Sequence, residues 1–177
     1  MVSLPPTSTL PALGAEQRAQ ILDTLFEPCL QLHTLSVSLL REQSFSTYDT
    51  LIEAVGEQLL ELHRSNLESD QEWLEAILSA HPRLGEKKVE SEQSRKEQAQ
   101  LNQGGADEAE KLVDMNRKYE DKFPGLRYVV FVNGRSRPVI MEDMQRRIDR
   151  GDIQLEKQEA IKAMCDIAKD RAKKLGG

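Results

Sequence analysis

Apolar positions recur at helical spacing along most of the chain, and the breaks between them delimit a series of helices. From Ala15 to Leu25, the residues Ala19, Ile21, Leu22, Leu25 and Phe26 keep a three-and-four rhythm until Pro28 stops it. A second apolar segment runs from Cys29 to Leu40. Ser46 or Thr47 is placed to cap a helix from Tyr48 to about Arg64, with Leu51, Val55, Leu59 and Leu62 on one face. Ser69 or Asp70 caps the next helix, whose Trp73, Leu74, Ile77 and Leu78 form an apolar stripe ending at Ala80. Gly104-Gly105 marks a break and Asp107 a cap, after which Leu112, Met115, Tyr119 and Phe123 repeat at helical intervals up to Pro124-Gly125. Pro138 suits the first turn of a helix through Arg147, Gly151-Asp152 breaks the chain again, and a last helix runs from about Leu155 to Lys174.

Two stretches depart from that rhythm. Arg127 to Val132 is the one run of strand-like composition, and a lone short strand without a partner cannot make a sheet. It reads as buried extended chain whose backbone N–H and C=O groups are available to a ligand. Residues 1–12 carry Pro5, Pro6 and Pro11 among Ser and Thr, which predicts a flexible tail that cannot be helical. The expected architecture is all-α: a single-domain helical bundle over residues 13–177 with one short extended segment. A chain of 177 residues can bury such a core without disulfide staples.

Composition narrows the function more than the fold. The net charge of -6, with no long basic run, argues against a nucleic-acid partner. No stretch reaches the length of a membrane span, and the first residues lack a secretory pattern, so a cytoplasmic protein is expected. The C-terminal Lys174-Leu175-Gly176-Gly177 is not the peroxisomal tripeptide. Cys29 and Cys165 lie among apolar helical residues and read as buried reduced thiols, with a single disulfide as the alternative. The histidines are too scattered for a metal motif, neither cysteine has a near ligand neighbour, and no phosphate loop or nucleophile elbow is present.

What remains is side-chain chemistry in two places. Between Glu86 and Gln100 only Val89 and Ala99 are apolar, so hydrophobic packing does not account for this stretch. Within it Ser94, Glu97 and Gln98 stand three and four residues apart, which on a helix gathers a hydroxyl, a carboxylate and an amide on one face. Just before it, His81 precedes Pro82, which disfavours helical geometry and sets the histidine at a helix end or turn. Histidine titrates near neutrality and suits proton transfer. Ser94, Glu97 and Gln98 read either as solvated helix surface or as the wall of a site.

The second place is the last helix. With Ile161 as origin, Met164, Cys165, Ile167, Ala168, Ala172 and Leu175 fall within an arc of roughly 160°, and Arg171 falls inside it. A desolvated guanidinium requires an acidic partner or an anionic ligand, unless it sits at the edge of the stripe and reaches water. Asn116 lies close in phase to Leu112 and must find partners if buried. His33 reads as a core or boundary histidine, and His63 falls at the polar end of its helix.

Taken together, Leu78-Ser79-Ala80-His81-Pro82-Arg83-Leu84-Gly85, Ser94-Arg95-Lys96-Glu97-Gln98, Asn116-Arg117-Lys118-Tyr119 and the Ile167–Arg171 pair resemble the OHCU decarboxylases. These enzymes of urate degradation act on 2-oxo-4-hydroxy-4-carboxy-5-ureidoimidazoline (OHCU). The resemblance runs from about Leu13 to Leu175. It implies an all-α homodimer without cofactor or metal that takes a small anionic substrate and releases carbon dioxide and (S)-allantoin. It further implies that His81 is the essential histidine and that Glu97 and Arg171 act with it. Ser94, Gln98, Pro82, Leu126 and Val129 would contact the substrate, and backbone groups from Leu126 to Phe131 would hold its ring. The chain departs from the family in having Arg83 where Asp is common and Ala99-Gln100-Leu101 where Ala-Gly-Leu is usual. It also has Phe123-Pro124-Gly125-Leu126-Arg127-Tyr128 in place of a Phe-Gly-Phe-Pro-Phe run. The competing reading is a helical interaction or histidine phosphotransfer module with His81 as acceptor, which calls for an exposed mid-helix position that Pro82 disfavours.

Overall fold

The computed structural model describes residues 3–86, 89, 91–99, 101 and 105–177. Among these residues there are eight α-helices and no strand. The helices are α1 (Ala15–Leu25), α2 (Leu30–Glu42), α3 (Tyr48–Arg64), α4 (Glu68–Leu78), α5 (Glu92–Ala99), α6 (Ala106–Lys122), α7 (Arg137–Arg150) and α8 (Ile153–Lys174). No helix among them is long and apolar enough to cross a membrane.

The all-α expectation therefore holds, and most boundaries fall where the sequence puts them. Thr47 caps α3, its hydroxyl accepting from the Thr50 N–H at 3.2 Å. Pro138 sits in the first turn of α7, and Gly151 closes that helix in the left-handed conformation. Asp152 then starts α8 by accepting from the N–H groups of Gln154 and Leu155. α3 and α8 pack along each other at the centre, and Gly56 makes this possible, because a Cβ there would come within 2.9 Å of the Cys165 sulfur. Both cysteines are free and partly buried.

Several local expectations are corrected. Within residues 1–12, Thr7–Ala12 is a 3-10 helix rather than non-helical chain. Pro11 lies inside it, and Leu10 is only 1% exposed. The phenol of Tyr48 donates to the Pro5 carbonyl at 2.6 Å, and the Leu4 N–H donates to the Leu175 carbonyl. A 3-10 turn tolerates proline because few of its bonds need a central N–H. Helix α4 is capped at Leu67 without a side-chain bond, so Ser69 and Asp70 fall inside its first turn. Trp73 is 37% exposed because the buried face of α4 is carried by Leu74, Ile77 and Leu78. The cap of α6 is Gly105 and not Asp107, which lies in the first turn. Gly104 and Gln100, part of the expected break and of the motif contrast, lie outside the described residues. His63 lies in the last turn of α3, the end expected for it, and is buried there, its Nε2 3.3 Å from the Gln158 amide nitrogen.

Residues 126–132 form neither helix nor strand, so the run of strand-like composition finds no strand partner, as expected. They are held by a buried ion pair that periodicity did not reveal. Arg147 meets Glu156 through its Nε at 2.9 Å, lies 4.6 Å above the Tyr128 ring and donates from Nη1 to the Val129 carbonyl at 2.9 Å. The Tyr119 phenol completes the cluster by donating to the same Glu156 oxygen. The same segment reaches the α4–α5 connection through Arg127, whose guanidinium donates to the His81 carbonyl.

Candidate active site

His81 follows α4 by three residues and is 5% exposed. The turn that carries it is pinned from several sides. The Arg127 guanidinium donates to the His81 carbonyl at 3.4 Å, and the Asn116 amide donates to the Leu84 carbonyl at 3.0 Å. The burial expected for Asn116 therefore has its partner. Arg83 pairs with Glu120 on α6 at 2.6 Å, so the residue that departs from the family pattern is used to tie down the turn. Gly85 adopts a positive φ of 79°, where a Cβ would come within 2.9 Å of Leu112.

Helix α5 has almost no apolar surface and is held by polar tethers instead. The Gln98 carbonyl oxygen accepts from the Gly85 N–H at 2.9 Å, and its NH2 donates to the Arg83 carbonyl at 3.2 Å. Both ends of that amide are thus engaged with the turn behind His81. Ser94 donates to Glu27, and Glu97 pairs with Arg171.

Arg171 is 2% exposed, so the phase of α8 placed it correctly. Its guanidinium is already satisfied. Nε donates to one Glu97 oxygen at 2.7 Å, and Nη2 reaches the other Glu97 oxygen at 3.0 Å, a bidentate fork. Nη2 also donates to Glu27 at 2.9 Å and to Ser94 Oγ at 3.0 Å, while Nη1 donates to the Phe26 carbonyl. Burial and its carboxylate partners oppose each other, and the partners prevail, holding the guanidinium pKa above its ordinary value. Two carboxylates share one cation, and Glu97 is bound to Arg171 rather than to His81.

The structure brings His81, Pro82, Ser94, Glu97, Gln98 and Val129 around one small cavity of about 30 Å³. Glu97 and Ile167 also line a second, larger cleft of about 670 Å³, together with Arg171, Lys96, Lys174 and Asn133. Glu97 thus lines both a small inner cavity walled by buried side chains and a larger outer cleft. Leu126 is in the core and lines neither. Among the described residues, His81 Nε2 is buried and has no hydrogen-bond partner. Burial, reinforced by the positive charge of Arg171, pushes the imidazole pKa down to about 3. The histidine is neutral at physiological pH, and its burial leaves no surface for a phosphotransfer partner. Among the described residues no three His, Cys, Asp or Glu side chains gather as a metal site.

The residue that sequence reasoning missed is Glu27. It lies just past the end of α1 beside Pro28, and nothing in its local pattern marks it as buried. The only signal was indirect, since a buried Arg171 demands an acidic partner and any of the chain's thirty Asp and Glu residues was eligible.

A small helical domain with a buried neutral imidazole, a guanidinium-held carboxylate and adjoining cavities is arranged for acid–base chemistry on a small molecule. The family model for OHCU decarboxylase matches residues 11–173, and the chain belongs to that family. It is a carboxy-lyase that decarboxylates OHCU in urate degradation. No match was found among curated proteins.

Proposed function

We propose that the inner cavity is where the carboxyl-bearing carbon of the substrate reacts, that His81 relocates the proton, and that the product is (S)-allantoin. The supporting observation is a buried histidine nitrogen without a partner among the described residues, on the wall of a cavity that Ser94, Glu97 and Gln98 also line. In the substrate the carboxylate stands on a carbon next to a C=N bond. As carbon dioxide leaves, its bonding pair forms a C=C bond in the ring and the C=N pair moves onto nitrogen, which takes up one proton. The resulting enol becomes a carbonyl by losing its hydroxyl proton and gaining one on the neighbouring carbon. Neutral His81 is suited to take the first and deliver the second, and delivery from one face yields one enantiomer.

An inner space of about 30 Å³ does not hold a whole ureidoimidazoline, so the substrate lies mainly in the outer cleft with its reacting edge inward. Lys96 and Lys174 on that cleft favour an anion. The Glu97 edge of Arg171 is the one turned toward it, and orientation of the substrate carboxylate by Arg171 means sharing that edge. Pro82 and Val129 form the inner wall, and Gln98 acts by fixing the His81 turn. Leu126 supports the extended run from the core. The N–H groups of residues 127–132 donate to none of the described residues, which leaves them for a ring carbonyl. A homodimer accompanies this reading on the strength of family membership.

The test generates OHCU from urate in situ and follows optically active allantoin by circular dichroism. A racemic product at the spontaneous rate overturns the proposal.

A further inference from the structure

Outside the residues so far given roles, one buried charge touches the site from an element far away in sequence. Glu27 is 4% exposed and lies 144 positions from Arg171 and 67 from Ser94. One of its oxygens accepts from the Ser94 hydroxyl and, at 2.9 Å, from Arg171 Nη2, which in turn donates to Ser94 Oγ at 3.0 Å. The three groups close a ring of hydrogen bonds. The neighbouring Phe26 carbonyl takes the remaining end of the guanidinium.

We infer that Glu27 is a positioning residue of the decarboxylation, acting through Arg171 and Ser94; the inference rests on the reading of the inner cavity as the reacting site. Two consequences follow from the ring. Glu27 anchors the guanidinium on its inner side, so the fork toward Glu97 keeps a fixed direction and Glu97 is presented at the junction of the two cavities. It also sets the polarity of Ser94. With its proton given to Glu27 and one lone pair given to Arg171, the Ser94 oxygen offers only its second lone pair. Toward a ligand Ser94 can therefore only accept, which suits an N–H of the imidazoline ring or the ureido group and disfavours a carbonyl there.

The chemistry of the contact explains why a carboxylate stands at position 27. A neutral acceptor would satisfy Ser94, but it would leave the buried Arg171 with a single counter-ion that the substrate carboxylate must then compete with. With Glu27 in place, the guanidinium keeps one permanent partner when its Glu97 edge is shared.

The test compares Glu27→Gln, which keeps the acceptor and removes the charge, with Glu27→Met, which removes both, each in the wild-type and Ser94→Ala backgrounds. Glu27→Gln is expected to lower kcat about tenfold and Glu27→Met about a hundredfold, with KM for OHCU within about threefold of wild type for Glu27→Gln. In the Ser94→Ala background the Glu27→Gln factor should shrink to about threefold, because part of its effect travels through the hydroxyl. Equal factors in both backgrounds, or a folded Glu27→Gln protein with kcat within about twofold of wild type, would overturn the inference. Should Glu27→Met fail to fold, the Glu27→Gln cycle decides alone. A wild-type protein that leaves OHCU to its spontaneous rate refutes the reading of the site itself, a separate outcome.

Discussion

Replacing His81 with Ala separates catalysis from folding, because the two effects differ greatly in size. Truncating the imidazole leaves a void on the order of 60 Å³, which at about 24 cal/mol per Å³ costs roughly 1.5 kcal/mol. Against this, the variant removes a buried ring nitrogen that has no partner among the described residues. Relief of an unsatisfied buried polar group returns about 1–3 kcal/mol. The net change in stability is therefore within about 1.5 kcal/mol of zero, or a shift of no more than about 6 °C in Tm for a chain of this size. Loss of the proton-transferring group lowers kcat by roughly 10²- to 10⁴-fold. The assay is the appearance of optically active allantoin from OHCU formed in situ, read beside a thermal melt of the same sample. A variant that still produces one enantiomer at near wild-type rate refutes the role of His81. A Tm loss above about 10 °C refutes the reasoning about its burial.

Other expectations follow from the same contacts. His81 has its folded pKa lowered from 6.5 to about 3, so between those values the unfolded chain binds a proton that the folded protein does not. Its contribution is intact above about pH 6.5 and is lost toward pH 3 at up to about 1.4 kcal/mol per pH unit, and urea unfolding of His81→Ala should show a shallower acid slope. Glu156→Gln removes the nearer counter-charge of the buried Arg147 and leaves it only Asp143 at 3.6 Å, and chemical denaturation should report a loss of about 3 kcal/mol. Gly56→Ala sets a Cβ 2.9 Å from the Cys165 sulfur and should cost about 1–3 kcal/mol, while adding Cys165→Ala should recover most of it; additive losses would exclude that contact as the cause.

Periodicity, with the capping and breaking residues, located α1 through α4, α6 and α8 to within a few residues, since an apolar face repeats with the helical turn, while α7 was placed by Pro138 and the Gly151-Asp152 break. The polar cluster on α5 and the burial of Arg171 were legible for the same reason, as phase on a helix is a property of spacing. Trp73 shows the limit of that reasoning, because one position at the edge of a stripe is buried or exposed according to what packs beside it.

The partners of each polar group were beyond the reach of spacing. His81, Ser94, Glu97, Gln98 and Arg171 were identified from the sequence, but only the fold assigned Glu97 to Arg171 and Gln98 to the 83–85 turn. Only the fold could choose Glu27, from a loop with no periodic signal, as the inner counter-ion of a guanidinium on the last helix. A hydrophobic face is satisfied by any apolar neighbour and is therefore written into local sequence. A buried charge is satisfied by one oxygen at about 3 Å, and its identity depends on how distant segments are brought together.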